Sequence, residues 1–101
     1  MTRVIIALCL ALAAQAAAGA THTVTMDGTA FSPETVTVKR GDRVVWVNKD
    51  PFPHTATATS KAFDSKSIAP GKSWRYDAAK VGSFDYVCAF HPTMKGRLIV
   101  E

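Results

Sequence analysis

From residue 21 onward apolar and polar positions alternate in short runs, and Gly, Pro, Asp or Asn interrupts each run. That period of two predicts strands rather than helices, arranged as an all-β sandwich or barrel of about seven to eight strands. His22 to Met26 is the first predicted strand. Thr35-Val36-Thr37-Val38-Lys39 alternates with Val36 and Val38 on the buried side, Arg40-Gly41-Asp42 turns the chain, and Arg43 to Asn48 is the most apolar strand. Thr55 to Thr59 alternates Thr with Ala, and Pro70-Gly71 is a turn opening a strand with Trp74 and Tyr76 on one face. Ser83 to Cys88 sets Phe84, Tyr86 and Cys88 on one side, since side-chain direction repeats every two residues. Gly96 to Glu101 closes the fold with Leu98 and Val100 inward, while Lys61 to Ile68 has the weakest pattern and reads as a surface connection with one short strand or turn.

The first twenty residues break this pattern. Arg3 precedes an apolar stretch from Val4 to Ala14, and the small-residue run Ala16-Ala17-Ala18-Gly19-Ala20 offers export-type cleavage sites. A membrane-spanning helix needs about 20 strongly apolar residues, and this stretch fades into Gln15 and alanines. Residues 1–20 are therefore expected to be a cleaved secretory signal peptide, and 21–101 a single domain without a membrane anchor, exported to the periplasm. Cleavage removes Cys9 and leaves Cys88 as the one cysteine, so no internal disulfide can staple a domain of this size. A lone thiol in an exported protein calls for an explanation as intermolecular, reactive or metal-bound. Bound metal would supply both the explanation and the staple.

Charge adds little. The sequence carries 12 Lys and Arg against 8 Asp and Glu, and the net +4 falls to +3 once Arg3 is removed. The basic residues are spread out, without the Lys/Arg run and interleaved aromatics of a nucleic-acid surface.

The chemistry concentrates in Cys88-Ala-Phe-His91-Pro-Thr-Met94, which sets a thiolate, an imidazole and a thioether at three-residue steps. A second imidazole, His54, lies 34 residues upstream of Cys88 behind the most apolar strand. Two His, one Cys and a weak Met make the ligand set of a blue-copper electron-transfer site. Pairing the strand before His54 with the one ending at Cys88 would bring the four together. Structural zinc prefers four Cys or His ligands, and attached c-type haem needs a Cys-x-x-Cys-His that is absent. His22, near the expected new N-terminus, reads as a plain strand residue.

These residues also carry a resemblance. Val38-Lys39-Arg40-Gly41-Asp42-Arg43-Val44-Val45-Trp46-Val47-Asn48, Pro53-His54, Pro70-Gly71-Lys72-Ser73-Trp74-Arg75-Tyr76 and Gly82-Ser83-Phe84-Asp85-Tyr86-Val87-Cys88 resemble the cupredoxins. Within that family they are similar to the amicyanin and pseudoazurin-like small blue copper proteins, and Cys88-x-x-His91-Pro92-x-Met94 has the short amicyanin-like spacing. The resemblance implies a Greek-key β-sandwich holding one type 1 copper ion, Cu(II)/Cu(I), near one end, with no catalytic turnover of its own. It also implies that the backbone N–H of Thr55 points at the thiolate and raises the potential. Asn48 matches a residue that ties the two ligand loops together, with a bond expected near Ala89; its bland alternative is a strand-end turn residue.

His91 is expected to expose its far ring edge amid Phe52, Pro53, Phe90, Pro92 and Met26, as the docking face for transient redox encounters. A monomer is expected, with an amine dehydrogenase, a c-type cytochrome or a reductase as the kinds of partner that carriers of this shape serve. Copper trafficking is the competing function. A multicopper oxidase or nitrite-reductase-like enzyme fails on counting, because only His22 remains after His54 and His91.

Overall fold

The computed structural model describes residues 19–101, so most of the expected export segment, residues 1–18, lies outside the described residues. Eight strands follow in order: β1 (Thr21–Met26), β2 (Phe31–Ser32), β3 (Thr35–Val38), β4 (Arg43–Asn48), β5 (Thr57–Ala58), β6 (Ser73–Asp77), β7 (Gly82–Cys88) and β8 (His91–Val100). They form two mixed sheets, ordered β2-β1-β4-β6 and β3-β8-β7-β5, with β1 parallel to β4 and β3 parallel to β8. The chain changes sheet after each of β2, β3, β4, β5 and β6, the crossovers of a Greek-key sandwich. Among the described residues no helix is long and apolar enough to cross a membrane.

Alternation explains why the strands lie where they do. In β4 the inward positions are Val44, Trp46 and Asn48; in β7 they are Phe84, Tyr86 and Cys88; in β8 they are Met94, Gly96, Leu98 and Val100. Trp46 is fully buried and meets Tyr86 edge-on at 5.4 Å between ring centroids. Truncating so large a side chain to Ala costs about 3–5 kcal/mol.

The structure corrects three expectations. The strand before His54 does not pair with β7; β4 sits in the opposite sheet between β1 and β6, and the segment after His54 pairs instead, Thr57 with Val87 and Ala58 with Tyr86. Only Thr57–Ala58 of the expected strand from Thr55 to Thr59 is extended and paired. The stretch from Lys61 to Ile68 is more than a surface connection: Phe63, Ser65 and Ile68 are buried, and Phe63 packs on Trp46, Trp74, Tyr76, Phe84 and Tyr86. Phe63 closes the gap that two short strands would otherwise leave between the sheets.

Two turns prepare the site end. Ala69-Pro70-Gly71-Lys72 is a type II turn: Lys72 N–H donates to Ala69 C=O at 3.0 Å, and Gly71 supplies the φ of 79° that this turn needs. The turn docks on β4, Gly71 N–H to Asn48 C=O and Asn48 N–H to Lys72 C=O, both at 2.9 Å. Between β1 and β2, Gly28 and Thr29 both have positive φ, 64° and 59°. Glycine takes that conformation freely, whereas for a β-branched threonine it is costly.

Candidate metal centre

His54, Cys88 and His91 converge at one end of the sandwich. Their donor atoms all lie within 4.8 Å of one another, with Cys88 Sγ 3.6 Å from His54 Nδ1 and 3.9 Å from His91 Nδ1. Each arrives by a different route. Cys88 ends β7 on its inward face and is fully buried. A register shift at Val87/Cys88 then sets Cys88 opposite His91, with only Ala89 and Phe90 between the two side chains along the chain. His54 is fully buried and pinned through its backbone to Ile68, donating N–H at 3.2 Å and accepting at 2.7 Å. Met94 lies further along β8, buried on the same inward face as Leu98 and Val100.

The donor set fits a single first-row metal ion. Ligand atoms about 2.0–2.3 Å from one ion in a trigonal plane stand about 3.5–3.9 Å from each other. The observed sulfur–nitrogen separations of 3.6 and 3.9 Å already fall in that range, while the three donors together spread over as much as 4.8 Å, so the two imidazoles would close up slightly to share one ion. One thiolate and two imidazoles are a donor set that suits copper better than harder ions.

The surroundings are tied down by hydrogen bonds. Thr55 N–H donates to Cys88 Sγ at 3.3 Å, as expected, and Ala89 N–H donates to the Thr55 hydroxyl at 2.8 Å. Thr55 therefore does the tying across the two ligand segments that the resemblance assigned to Asn48. Asn48 bonds elsewhere: its amide donates to Phe52 C=O and Ile68 C=O, and its side-chain oxygen accepts from Asp50 N–H, all at 2.9 Å. Its full burial follows from parity, since it shares a face with Val44 and Trp46; it is no exposed turn residue.

Asp50 was not singled out in the sequence. Its carboxylate is buried and accepts from His54 Nε2 at 2.7 Å, from Gly28 N–H at 2.7 Å and from Thr29 N–H at 2.9 Å. Burial pushes the Asp50 carboxyl up, but the bonds from His54, Thr29 and Gly28 together outweigh it and hold it below the usual carboxylate range. The spacing Asp50-x-x-x-His54 was visible in the sequence, but nothing local distinguished it from an ordinary turn.

At the surface, Phe52 and Phe90 are 38% and 51% exposed, Pro53 and Pro92 are exposed, and His91 is half-buried among them. The Phe52 ring stands 5.7 Å from His91 and 5.2 Å from His54. Met26 is fully buried and forms no part of this patch.

Residues 1–100 match the family described as Cupredoxin-like domain. The amicyanin of Paracoccus versutus is 35% identical over 76 residues, spanning 70% of this chain and 57% of that protein. The chloroplastic plastocyanin of Tetradesmus obliquus is 33% identical over 84 residues, spanning 70% of this chain and 58% of that protein. The chain thus spans under two thirds of the length of these curated relatives. The Cu(I) form of an amicyanin point mutant superposes with a TM-score of 0.75 at 28% identity, covering 88% of this chain and 89% of that one. A purple cupredoxin from Nitrosopumilus maritimus, at 21% identity and a TM-score of 0.72, shares the fold. With the sandwich, the converging ligands and these relatives in agreement, the chain belongs to the cupredoxin-like domain family.

Proposed function

We propose that this protein is a periplasmic electron carrier, residues 21–101 forming one domain behind a cleaved export signal, with His54, Cys88, His91 and Met94 holding one type 1 copper ion. Copper bound there would supply a one-electron Cu(II)/Cu(I) couple. The observation that carries this reading is the convergence of one buried thiolate and two imidazoles directly beneath an apolar surface patch.

The residues divide the work. Cys88 presents its sulfur from the dry interior, and Thr55 N–H stabilises negative charge on it. His54 and His91 present Nδ1 towards that sulfur. Two sheets, with the hydrogen bonds of Asn48 and Thr55, hold these groups in one arrangement, so a change of oxidation state demands little movement. Half-buried His91, flanked by Phe52, Pro53, Phe90 and Pro92, forms the path by which an electron leaves or enters. Small interfaces favour brief encounters, which suits a carrier that must release its partner after each transfer. An amine dehydrogenase, a c-type cytochrome or a reductase would dock there, and the carrier itself turns over no substrate. Burial of Cys88 argues against copper trafficking, which needs an accessible thiolate to hand the ion on.

The test is to add Cu(II) to the mature protein and record visible and EPR spectra. An intense blue thiolate-to-copper band with narrow hyperfine splitting is expected, lost in Cys88→Ser and retained at a lower potential in Met94→Gln. Absence of that band would sink the assignment, and rapid release of Cu(I) to a chelator would favour trafficking.

A further inference from the structure

We infer that Asp50 is a positioning residue for the metal site: its buried carboxylate fixes the tautomer of His54, makes that imidazole a stronger donor, and holds the reduction potential of the site down. This rests on the copper reading above, and goes beyond it by assigning a role to a residue outside the ligand set.

The argument begins with the ring. His54 Nε2 lies 2.7 Å from Asp50 Oδ2, while Nδ1 of the same ring is the atom that faces Cys88 Sγ at 3.6 Å. A carboxylate without a proton can only accept, so Nε2 carries the hydrogen and Nδ1 keeps its lone pair for a metal. Both side chains are buried, so little water screens the pair. Hydrogen-bonding a ligand imidazole to a carboxylate raises its basicity, and losing such a partner weakens metal binding by about 10–100-fold. A fixed negative charge at this depth favours the more positive oxidation state, Cu(II), and so opposes the effect of the Thr55 N–H on the thiolate.

The position of Asp50 is itself over-determined. Asn48 Oδ1 accepts Asp50 N–H at 2.9 Å, and the carboxylate takes two N–H groups from the Gly28-Thr29 turn at 2.7 and 2.9 Å. Those bonds compensate the positive φ of Thr29 and leave the carboxylate one orientation, aimed at His54. A turn between β1 and β2 is thereby connected to the metal site through a single side chain.

The experiment compares copper-loaded wild type with Asp50→Asn, which keeps the shape but removes the charge. The expected result is a blue band in both, and in D50N about a tenfold loss of Cu(II) affinity relative to Cu(I), equivalent to a potential about 59 mV higher. A purely structural cap predicts a lower unfolding midpoint with no change in potential, and that result would overturn the inference. If D50N does not fold, the wild-type protein decides by NMR. A slowly exchanging, low-field Nε2 proton on His54 supports the inference, and a ring protonated at Nδ1 in the metal-free protein refutes it. No blue band in wild type would remove the copper reading, and this inference with it; a band with an unmoved D50N potential removes the inference alone.

Discussion

Thr55, just before β5, and Cys88, at the end of the neighbouring β7, are joined by a backbone N–H that reaches the sulfur at 3.3 Å, while the Thr55 hydroxyl accepts the N–H of the residue after Cys88, Ala89, at 2.8 Å. One residue thus touches the thiolate electronically and its chain mechanically. Thr55→Val separates the two roles, because it keeps the backbone N–H and removes the hydroxyl. We expect a loss of about 0.5–1.5 kcal/mol of stability from the hydroxyl's lost bonds to Ala89 N–H and Thr57, since Ala89 is exposed and its N–H can turn to water, with the blue band little changed. Urea unfolding and a visible spectrum check both halves, and Thr55→Ser should restore the stability.

The exposed patch is tested by Phe90→Glu. Phe90 is 51% exposed, so the substitution breaks no core contact and should leave the spectrum and the unfolding midpoint unchanged. Electron self-exchange between reduced and oxidised protein brings two copies together, and like charges facing each other at an interface cost several kcal/mol. Self-exchange measured by NMR line broadening should fall by about tenfold or more. An unchanged rate would move the doorway away from His91.

Much of this was legible beforehand because period-two patterning reports directly on burial. Phe84, Tyr86 and Cys88, and likewise Leu98 and Val100, are inward as their parity requires. Cys88 and His91 also meet as their spacing suggests, since the turn of Ala89 and Phe90 is a local event. What failed was long-range. Which strand lies beside β7 depends on crossovers that no alternation encodes, and Phe63 sits in an unpatterned segment whose burial comes from filling space between sheets. Asn48 and Asp50 look like turn residues because their type favours turns; their burial becomes clear only when the loops they hold are in place. Polar groups buried near the site were thus the least readable, although they position the ligands.

Acid stability has a local source at the far end of β1. Asp42 accepts from Lys39 N–H at 3.0 Å and from His22 Nε2 at 2.9 Å, bonds that remain once residues 1–20 are removed. The Lys39 backbone bond, followed by the bond from His22, lowers its carboxyl from 3.8 to about 2. A folded value below the unfolded one means that the carboxylate's contribution is complete above the unfolded value and is lost as pH falls through about 2. Asp42→Asn should therefore be less stable than wild type at neutral pH, and the difference should shrink steadily as denaturation is repeated between about pH 4 and pH 2. A difference that stays constant with pH would assign the effect to shape rather than charge.

Gly96 and Tyr86 are paired directly across β8 and β7, and a β-carbon at Gly96 would overlap the Tyr86 ring. The ring has little freedom to retreat. It is fully buried, with Phe31 edge-on at 4.7 Å, Trp46 at 5.4 Å and Phe63 at 5.9 Å between centroids. Gly96→Ala should consequently cost about 1–3 kcal/mol as overpacking, read as a lower midpoint in urea. The displacement should also reach the site, because Tyr86 and Cys88 share the inward face of β7 two residues apart. A shifted or broadened thiolate band in the copper-loaded variant is the expected signature. Backbone entropy alone would make Ala stabilising here, so the sign of the change separates the two effects. Combining Gly96→Ala with Tyr86→Leu removes the ring that the methyl strikes. The double variant should then be more stable than the sum of the two single losses predicts, and strict additivity would show that Gly96 is not making room for Tyr86.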